Sequence, residues 1–190
     1  MKPLSVALLG VVIVAGAASA SEQSTYAGWQ GRTITALSPR QVEDYLEGRG
    51  MGMALPAELN GYPGPRHVLD LADELDLTSD QRARTERLFE EMRVAAIALG
   101  EQIVAREAAL EELFASGMAT EADLRAAAED LGLLEGRLRG HHLGYHVAMR
   151  ELLEPHQIET YGRLRGYGSP SRPGAHGHDR HGHDRHGHDR

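Results

Sequence analysis

Thr78 and Gln81 stand three residues apart at the head of a stretch that runs to Gly117 without a proline. A threonine that takes the N3 backbone N–H, with a glutamine at N3 reaching back to the N-cap N–H, is a capping box and opens a helix. Leu88, Met92, Ala96, Leu99, Ile103, Leu110 and Phe114 then mark an apolar stripe at helical spacing, with Gly100 its one weak internal point and Gly117 its stop. Thr120 caps a second helix after a connection of about three residues, and so short a link makes the two helices run antiparallel. On the second, Leu124, Ala127, Leu131, Leu134, Leu138, His141, Tyr145, Ala148 and Leu152 alternate steps of three and four, the seam of a helix packed lengthwise on another. The expected fold is therefore all-α, a long antiparallel helical hairpin with short flanking helices.

The flanks fit that outline. Ser38-Pro39 reads as an N-cap and a first-turn proline, opening a helix to about Glu47 that Gly48 and Gly50 stop. Residues 48 to 65 hold five glycines and three prolines and read as a loop, with at most one helical turn around Pro56 to Leu59. A short helix follows Pro65 and ends near Asp76, and Pro155 begins a last one reaching Leu164.

Residues 1–20 have the pattern of a secretory signal: Lys2, an apolar run from Leu4 to Ala15, and the small residues Ala18-Ser19-Ala20. Residues 21–37 read as a mobile N-terminal arm with Tyr26 and Trp29 as docking points, residues 38–167 as the helical domain, and 168–190 as a disordered His-rich tail. The chain has no cysteine, which leaves His, Met, Asp and Glu as its metal-binding side chains. A net charge of −8 speaks against a nucleic-acid partner. No nucleophile, phosphate-cradling loop or acid pair stands out, so the chain does not read as an enzyme.

Chemistry concentrates where the second long helix carries histidines on its seam. At about 100° per residue, His142 and Met149 fall near the middle of the stripe and His146 on its edge. Two histidines four apart on a helix can share one metal ion; the blander reading is polar residues near a helix end. Folding the hairpin about Met118 and Ala119 lays His146 across from Glu91 and Met149 across from Leu88, and a helix folding back from Thr78 brings His67 over the same end. His67, Glu91, His142 and His146 form the candidate metal set, a nitrogen and oxygen site suited to Zn²⁺, Ni²⁺, Co²⁺ or Cu²⁺. A second set lies in the tail, where His-Gly-His-Asp-Arg occurs three times and places His176, His178, His181, His183, His186 and His188.

The pentapeptides Leu77-Thr78-Ser79-Asp80-Gln81 and Leu153-Glu154-Pro155-His156-Gln157 each begin with Leu, end with Gln and open a helix. On these two motifs around a helical hairpin behind a signal peptide, the chain resembles the periplasmic LTxxQ superfamily, which includes the Spy and CpxP stress proteins, the zinc-resistance-associated protein and the metal sensors of cobalt and nickel resistance. The stretches GMGMALPAELNGYPGPRHVLDLADELDLTSDQ and HHLGYHVAMRELLEPHQIETYGRLRGYG look like the heavy-metal-sensor branch. The resemblance implies a hooked, four-helix hairpin of Spy/CpxP type, a homodimer, and a periplasmic location. It implies metal binding for sensing or resistance, with a membrane-bound signalling partner, or alternatively ATP-independent holding of unfolded proteins. His67 lies near a histidine ligand of those sensors and Met149 matches their methionine. Those sensors have a second histidine before the first motif that is missing here, and their histidine four before the methionine falls at Tyr145.

Overall fold

The computed structural model describes residues 24–168, and every regular element among them is a helix. They divide into two compact units. The described part of the first, which ends at Gly31, contains a 3₁₀ turn, Trp29–Gly31, and an edge-to-face contact between Tyr26 and Trp29 with ring centroids 5.2 Å apart. The second begins at Arg32 and carries α1 (Pro39–Leu46), α2 (Leu55–Glu58), α3 (Pro65–Asp70), α4 (Ser79–Ala115), α5 (Glu121–Leu152) and α6 (Pro155–Leu164). The proposed signal segment and the His-rich tail lie outside the described residues.

Local chemistry sets the helix starts as the sequence implies. Ser38 and Thr78 accept from the N3 backbone N–H of Gln41 and Gln81, and each glutamine returns a bond to its N-cap, giving two complete capping boxes. Thr120 accepts from Asp123 at the start of α5. Gly117 turns the chain at φ +70°. α4 and α5 then lie along each other: Gln81 bonds the Leu152 carbonyl, His141 reaches the Met92 carbonyl at 3.1 Å, and Arg106 pairs with Asp130 at 2.6 Å. One sequence number rises as the other falls, so the two run antiparallel.

The two Leu-x-x-x-Gln motifs meet. Gln81 Nε2 donates to Gln157 Oε1 at 2.9 Å, and Gln157 Nε2 donates to Gln81 Oε1 at 3.1 Å. Each amide oxygen also accepts from its own N-cap, Thr78 N–H at 3.1 Å and Glu154 N–H at 2.9 Å. Gln157, which is buried, donates further to the Leu75 carbonyl. The starts of α4 and α6 are thus tied to one another through a reciprocal amide pair.

The core forms two clusters. Val68, Leu75, Met149, Leu153 and Tyr161 pack near the start of α4, with Leu88 against them. Ala96, Ile103, Leu131, Leu134 and Leu138 pack farther along the pair, beneath Tyr45 and Met53. α1 crosses α4 so closely that a Cβ on Gly100 would sit 2.1 Å from the Tyr45 carbonyl oxygen, so the weak point of the sequence is a docking notch. The N-terminal lead-in is also tied down: Ile34 and Leu37 are buried, and Thr35 N–H donates to Glu111 at 3.0 Å.

Three details depart from the periodicity. Phe114 ends the expected stripe yet is 58% exposed, because near the connection two helices alone cannot cover each other's flanks. The seam of α5 slips by one residue: beyond Leu138 the buried positions are His142, His146, Met149 and Leu153, while His141, Tyr145, Ala148 and Leu152 are half-buried. A seven-residue repeat drifts about 20° per turn pair on a straight helix, which carries the next position into the seam. α3 ends at Asp70, and the chain reaches Thr78 through turns with Asp76 at φ +49°. On the outer face of α5, Gly132, Gly136, Gly140 and Gly144 fall four apart, exposed, where a Cβ would meet nothing within 4 Å.

Candidate functional site

The loop between α1 and α2, the segment from α2 to α3, and facing turns of α4 and α5 enclose a cavity of about 700 Å³. Leu46, Met51, Leu55, Phe89, Met92 and Ile97 supply its apolar wall; Glu58, His67, His142 and His146 line it from α2, α3 and α5, Glu47, Arg49, Arg66 and Arg93 add charge around it, and Arg165 and Tyr167 close it from beyond α6.

Glu58 is its polar centre. α2 is one turn of helix whose first-turn proline, Pro56, sets the entry and whose last residue, Glu58, is buried. Oε1 accepts from His67 Nδ1 at 3.1 Å, from Tyr161 Oη, and from Tyr167 Oη at 3.3 Å, while Oε2 faces His146 Nδ1 at 3.5 Å and Arg165 Nε lies 3.8 Å from Oε1. Burial alone would raise this carboxyl, but hydrogen bonds from His67 and Tyr161 and the nearby rings of His67 and His146 outweigh it and hold Glu58 below the usual value. Burial and the adjoining carboxylate push the Tyr161 hydroxyl far up, so it stays a donor. Donors and charges from α3, α5, α6 and the chain beyond it thus converge on one carboxylate.

The histidines are oriented by these partners. A ring nitrogen 2.7 Å from the Tyr62 carbonyl must carry its hydrogen, so His146 donates from Nδ1 and, when neutral, keeps its lone pair on Nε2. Gly64 leaves room for that edge: a Cβ there would lie 2.9 Å from His146 Cε1 and 3.2 Å from Nε2. His67 likewise gives Nδ1–H to Glu58, but its Nε2 faces Arg165 Nη2 at 3.4 Å. A guanidinium has only hydrogens to offer, so that lone pair is engaged. His142, one turn before His146, is 2% exposed, and its Nε2 is buried with no hydrogen-bond partner. Burial, with His141 and His146 nearby, pulls its pKa down to about 4, which keeps the ring neutral at physiological pH.

The expected set is therefore brought together in part. His67 and His146 meet on one carboxylate, and His142 lines the same cavity. Glu91 does not join them: it is exposed on α4, near Tyr145. The one-residue slip of the α5 seam turns His146 toward α2 and away from the outer flank of α4 where Glu91 lies. Met149 fills the apolar cluster with Val68 and Tyr161 and has no exposed surface. His141, on the expected seam, is half-buried and bonds the Met92 carbonyl, and His156 is exposed. The tail residues His176, His178, His181, His183, His186 and His188 lie outside the described residues. Among the described residues, no three His, Asp or Glu side chains stand together in an arrangement that would hold a metal ion.

Sequence reasoning passes over Glu58, Tyr161, Tyr167 and Arg165. One signal was present: between Arg49 and Arg66, Glu58 is the only charged residue in a run of apolar, glycine and proline positions. A lone charge in such a run needs a partner. Comparison with family models, with curated proteins and with solved structures finds no match to this chain.

Proposed function

We propose that the protein binds a divalent transition metal in the cavity beside Glu58, in the service of heavy-metal sensing or resistance. The observation that carries this reading is His142: a buried, neutral imidazole whose Nε2 has no partner, one helical turn from His146. A buried polar atom without a partner costs about 1–3 kcal/mol, and a metal ion is one chemistry that would use its lone pair. The donors fit a borderline cation in kind, imidazole nitrogen with carboxylate nearby. His142 and His146 are the residues that would hold it; Tyr62 and Glu58 fix the orientation of the His146 ring, as outer partners do for metal-bound histidines. His67 joins only if Arg165 releases its Nε2. Zn²⁺, Ni²⁺, Co²⁺ and Cu²⁺ all suit such ligands. The finer architecture belongs to the same proposal: a hooked, Spy/CpxP-like hairpin, paired as a homodimer in the periplasm and read by a membrane-bound partner.

The test is calorimetric. A site built from folded helices binds the native state alone and stabilises it by RT ln(1 + [L]/Kd), about 2.7 kcal/mol at a hundredfold excess over Kd. The expected result is a higher melting temperature of the full chain with Zn²⁺, Ni²⁺ or Co²⁺, abolished by His142→Ala or His146→Ala. Melting unchanged by every metal would sink the proposal.

A second reading, an ATP-independent chaperone, has one observation in its favour. Leu46 and Leu55 are 43% and 52% exposed on the rim of the cavity, beside Met51 and Phe89, and flexible apolar linings suit varied clients. Metal-free protein should then slow aggregation of an unfolded client near equimolar ratio; unchanged light scattering at fivefold excess would remove this reading.

A further inference from the structure

Five methionines lie among the described residues, and the structure sorts them. Met149 fills one core cluster, Met53 packs against the other, and Met118 is 75% exposed at the connection of the hairpin. Met51 and Met92 are left, and both line the cavity that holds His142 and His146. Met92 is buried yet belongs to neither core cluster, and its carbonyl takes the bond from His141, which sets it level with His142 on the facing helix. Met51 follows Gly50, which passes the same ring: a Cβ on Gly50 would lie 3.9 Å from His142 Nδ1. Met51 also holds φ +44°, a left-handed conformation that a residue with a side chain rarely adopts. Such outliers persist where the surrounding structure imposes them, and they gather at ligand sites.

The donors open to an ion are therefore imidazoles and thioethers, all uncharged. The Glu58 carboxylate in the same cavity is already engaged by His67, Tyr161 and Tyr167. Neutral donors beside Leu46 and Ile97 leave the charge of a bound ion uncompensated. Because the Born penalty of desolvation grows with the square of the charge, a monovalent ion bears roughly a quarter of the penalty of a divalent one. Thioether sulfur is also a soft donor, the class that selects copper in its monovalent state. We propose that the cavity selects monovalent copper, held by His142 and His146 together with the Met51 and Met92 thioethers. The inference rests on the metal reading above and names the ion that the site prefers. It accounts as well for the want of a third His, Asp or Glu beside the two histidines among the described residues, since the remaining donors are sulfur.

The sequence makes sulfur a specific reporter. The chain has no cysteine, and residues 169–190, with their six histidines, contain no methionine, so copper bound by those histidines alone has no sulfur neighbour. The full chain is loaded with one equivalent of Cu⁺ without oxygen and its X-ray absorption is recorded. Melting is followed with Ag⁺, the redox-inert ion of the same charge, and with Zn²⁺, Ni²⁺ and Co²⁺. The expected result is sulfur in the copper shell and a higher melting temperature with Ag⁺, both lost in Met51→Leu/Met92→Leu and both kept in Met149→Leu. Leucine nearly conserves the volume of methionine, so these variants fold. Loss of an outer partner alone costs about 10–100-fold in metal affinity, so loss of two ligands should weaken Ag⁺ binding by at least about a hundredfold. Copper with nitrogen neighbours only, or sulfur that persists in Met51→Leu/Met92→Leu, would overturn the soft site; a Zn²⁺ melting shift that needs His142 and His146 would then keep the metal reading. No melting shift with any of the four ions would overturn both.

Discussion

Gln157 is the residue whose replacement should reveal how the two helix starts are joined. It is 4% exposed and makes three kinds of bond at once: it caps Glu154 N–H, exchanges two bonds with Gln81, and donates to the Leu75 carbonyl. Gln157→Leu keeps most of the volume and removes them all. The Leu75 carbonyl belongs to a buried residue and has no route to water there, which costs about 1–3 kcal/mol. Losing the N3 half of the capping interaction adds up to about 1 kcal/mol, and Gln81 keeps its bond to Leu152. The expected destabilisation is therefore about 3 kcal/mol, a large part of the roughly 5–15 kcal/mol that holds a domain together. Gln81→Leu, half-buried with an exposed N-cap, should cost about 1 kcal/mol. Guanidinium unfolding followed by far-ultraviolet circular dichroism measures both, and the double variant closes a cycle. A coupling energy of about 1–2 kcal/mol is expected for a reciprocal amide pair. Coupling within about 0.3 kcal/mol of zero, or a Gln157→Leu cost below about 0.5, would refute the reasoning.

Three further outcomes follow from the packing and the electrostatics. Gly100→Ala drives a Cβ into the Tyr45 carbonyl and should cost more than about 2 kcal/mol, whereas Gly136→Ala on the open face of α5 should stabilise by about 0.5–1 kcal/mol; denaturation midpoints of the two variants decide it. The folded pKa of His142 is depressed to about 4, so as pH falls from 6.5 the unfolded chain gains a proton that the folded chain refuses. Stability is full above pH 6.5 and is lost toward pH 4, by up to roughly 3 kcal/mol from this residue, and His142→Gln should remove that part of the slope in metal-free protein. Tyr161→Phe takes one donor from a buried carboxylate and should cost about 1.5–3 kcal/mol; because Glu58 is then less depressed, acid unfolding should begin at higher pH, read by circular dichroism across pH 3 to 6.

What could be read in the chain divides by the range of the physics involved. The starts of α1, α4, α5 and α6 depend on residues three apart, and Ser38, Thr78, Thr120 and Pro155 announce them. The antiparallel course of α4 and α5 follows from the short link at Gly117. The histidine cluster is visible in the sequence as polar residues on an apolar seam, yet folding the hairpin about Met118 and Ala119 points to Glu91 as its carboxylate, because counting across two helices pairs their levels and not the flanks their side chains face. Glu58 lies nine residues before His67 and more than a hundred before Tyr161, in a glycine- and proline-rich run with no period to place it. The Gln81–Gln157 pair was half legible: each glutamine signals its own cap, and nothing local says that two caps share one set of hydrogen bonds.

The glycines four apart on the outer face of α5 have a bearing on the cavity. Each lowers helix propensity by about 0.8–1 kcal/mol relative to alanine, so the turns from Gly132 to Gly144 have little reason of their own to be helical. Their order is borrowed from the inner face, from Leu131, Leu134, Leu138 and His142 against α4. Such a segment opens as a cooperative patch, and its amide exchange reports how firmly that inner face is held. Because His142 ends the patch and His146 follows it by one turn, a ligand held by the two, as proposed above, would slow amide exchange through the glycine-bearing turns of α5 with the helices left in place.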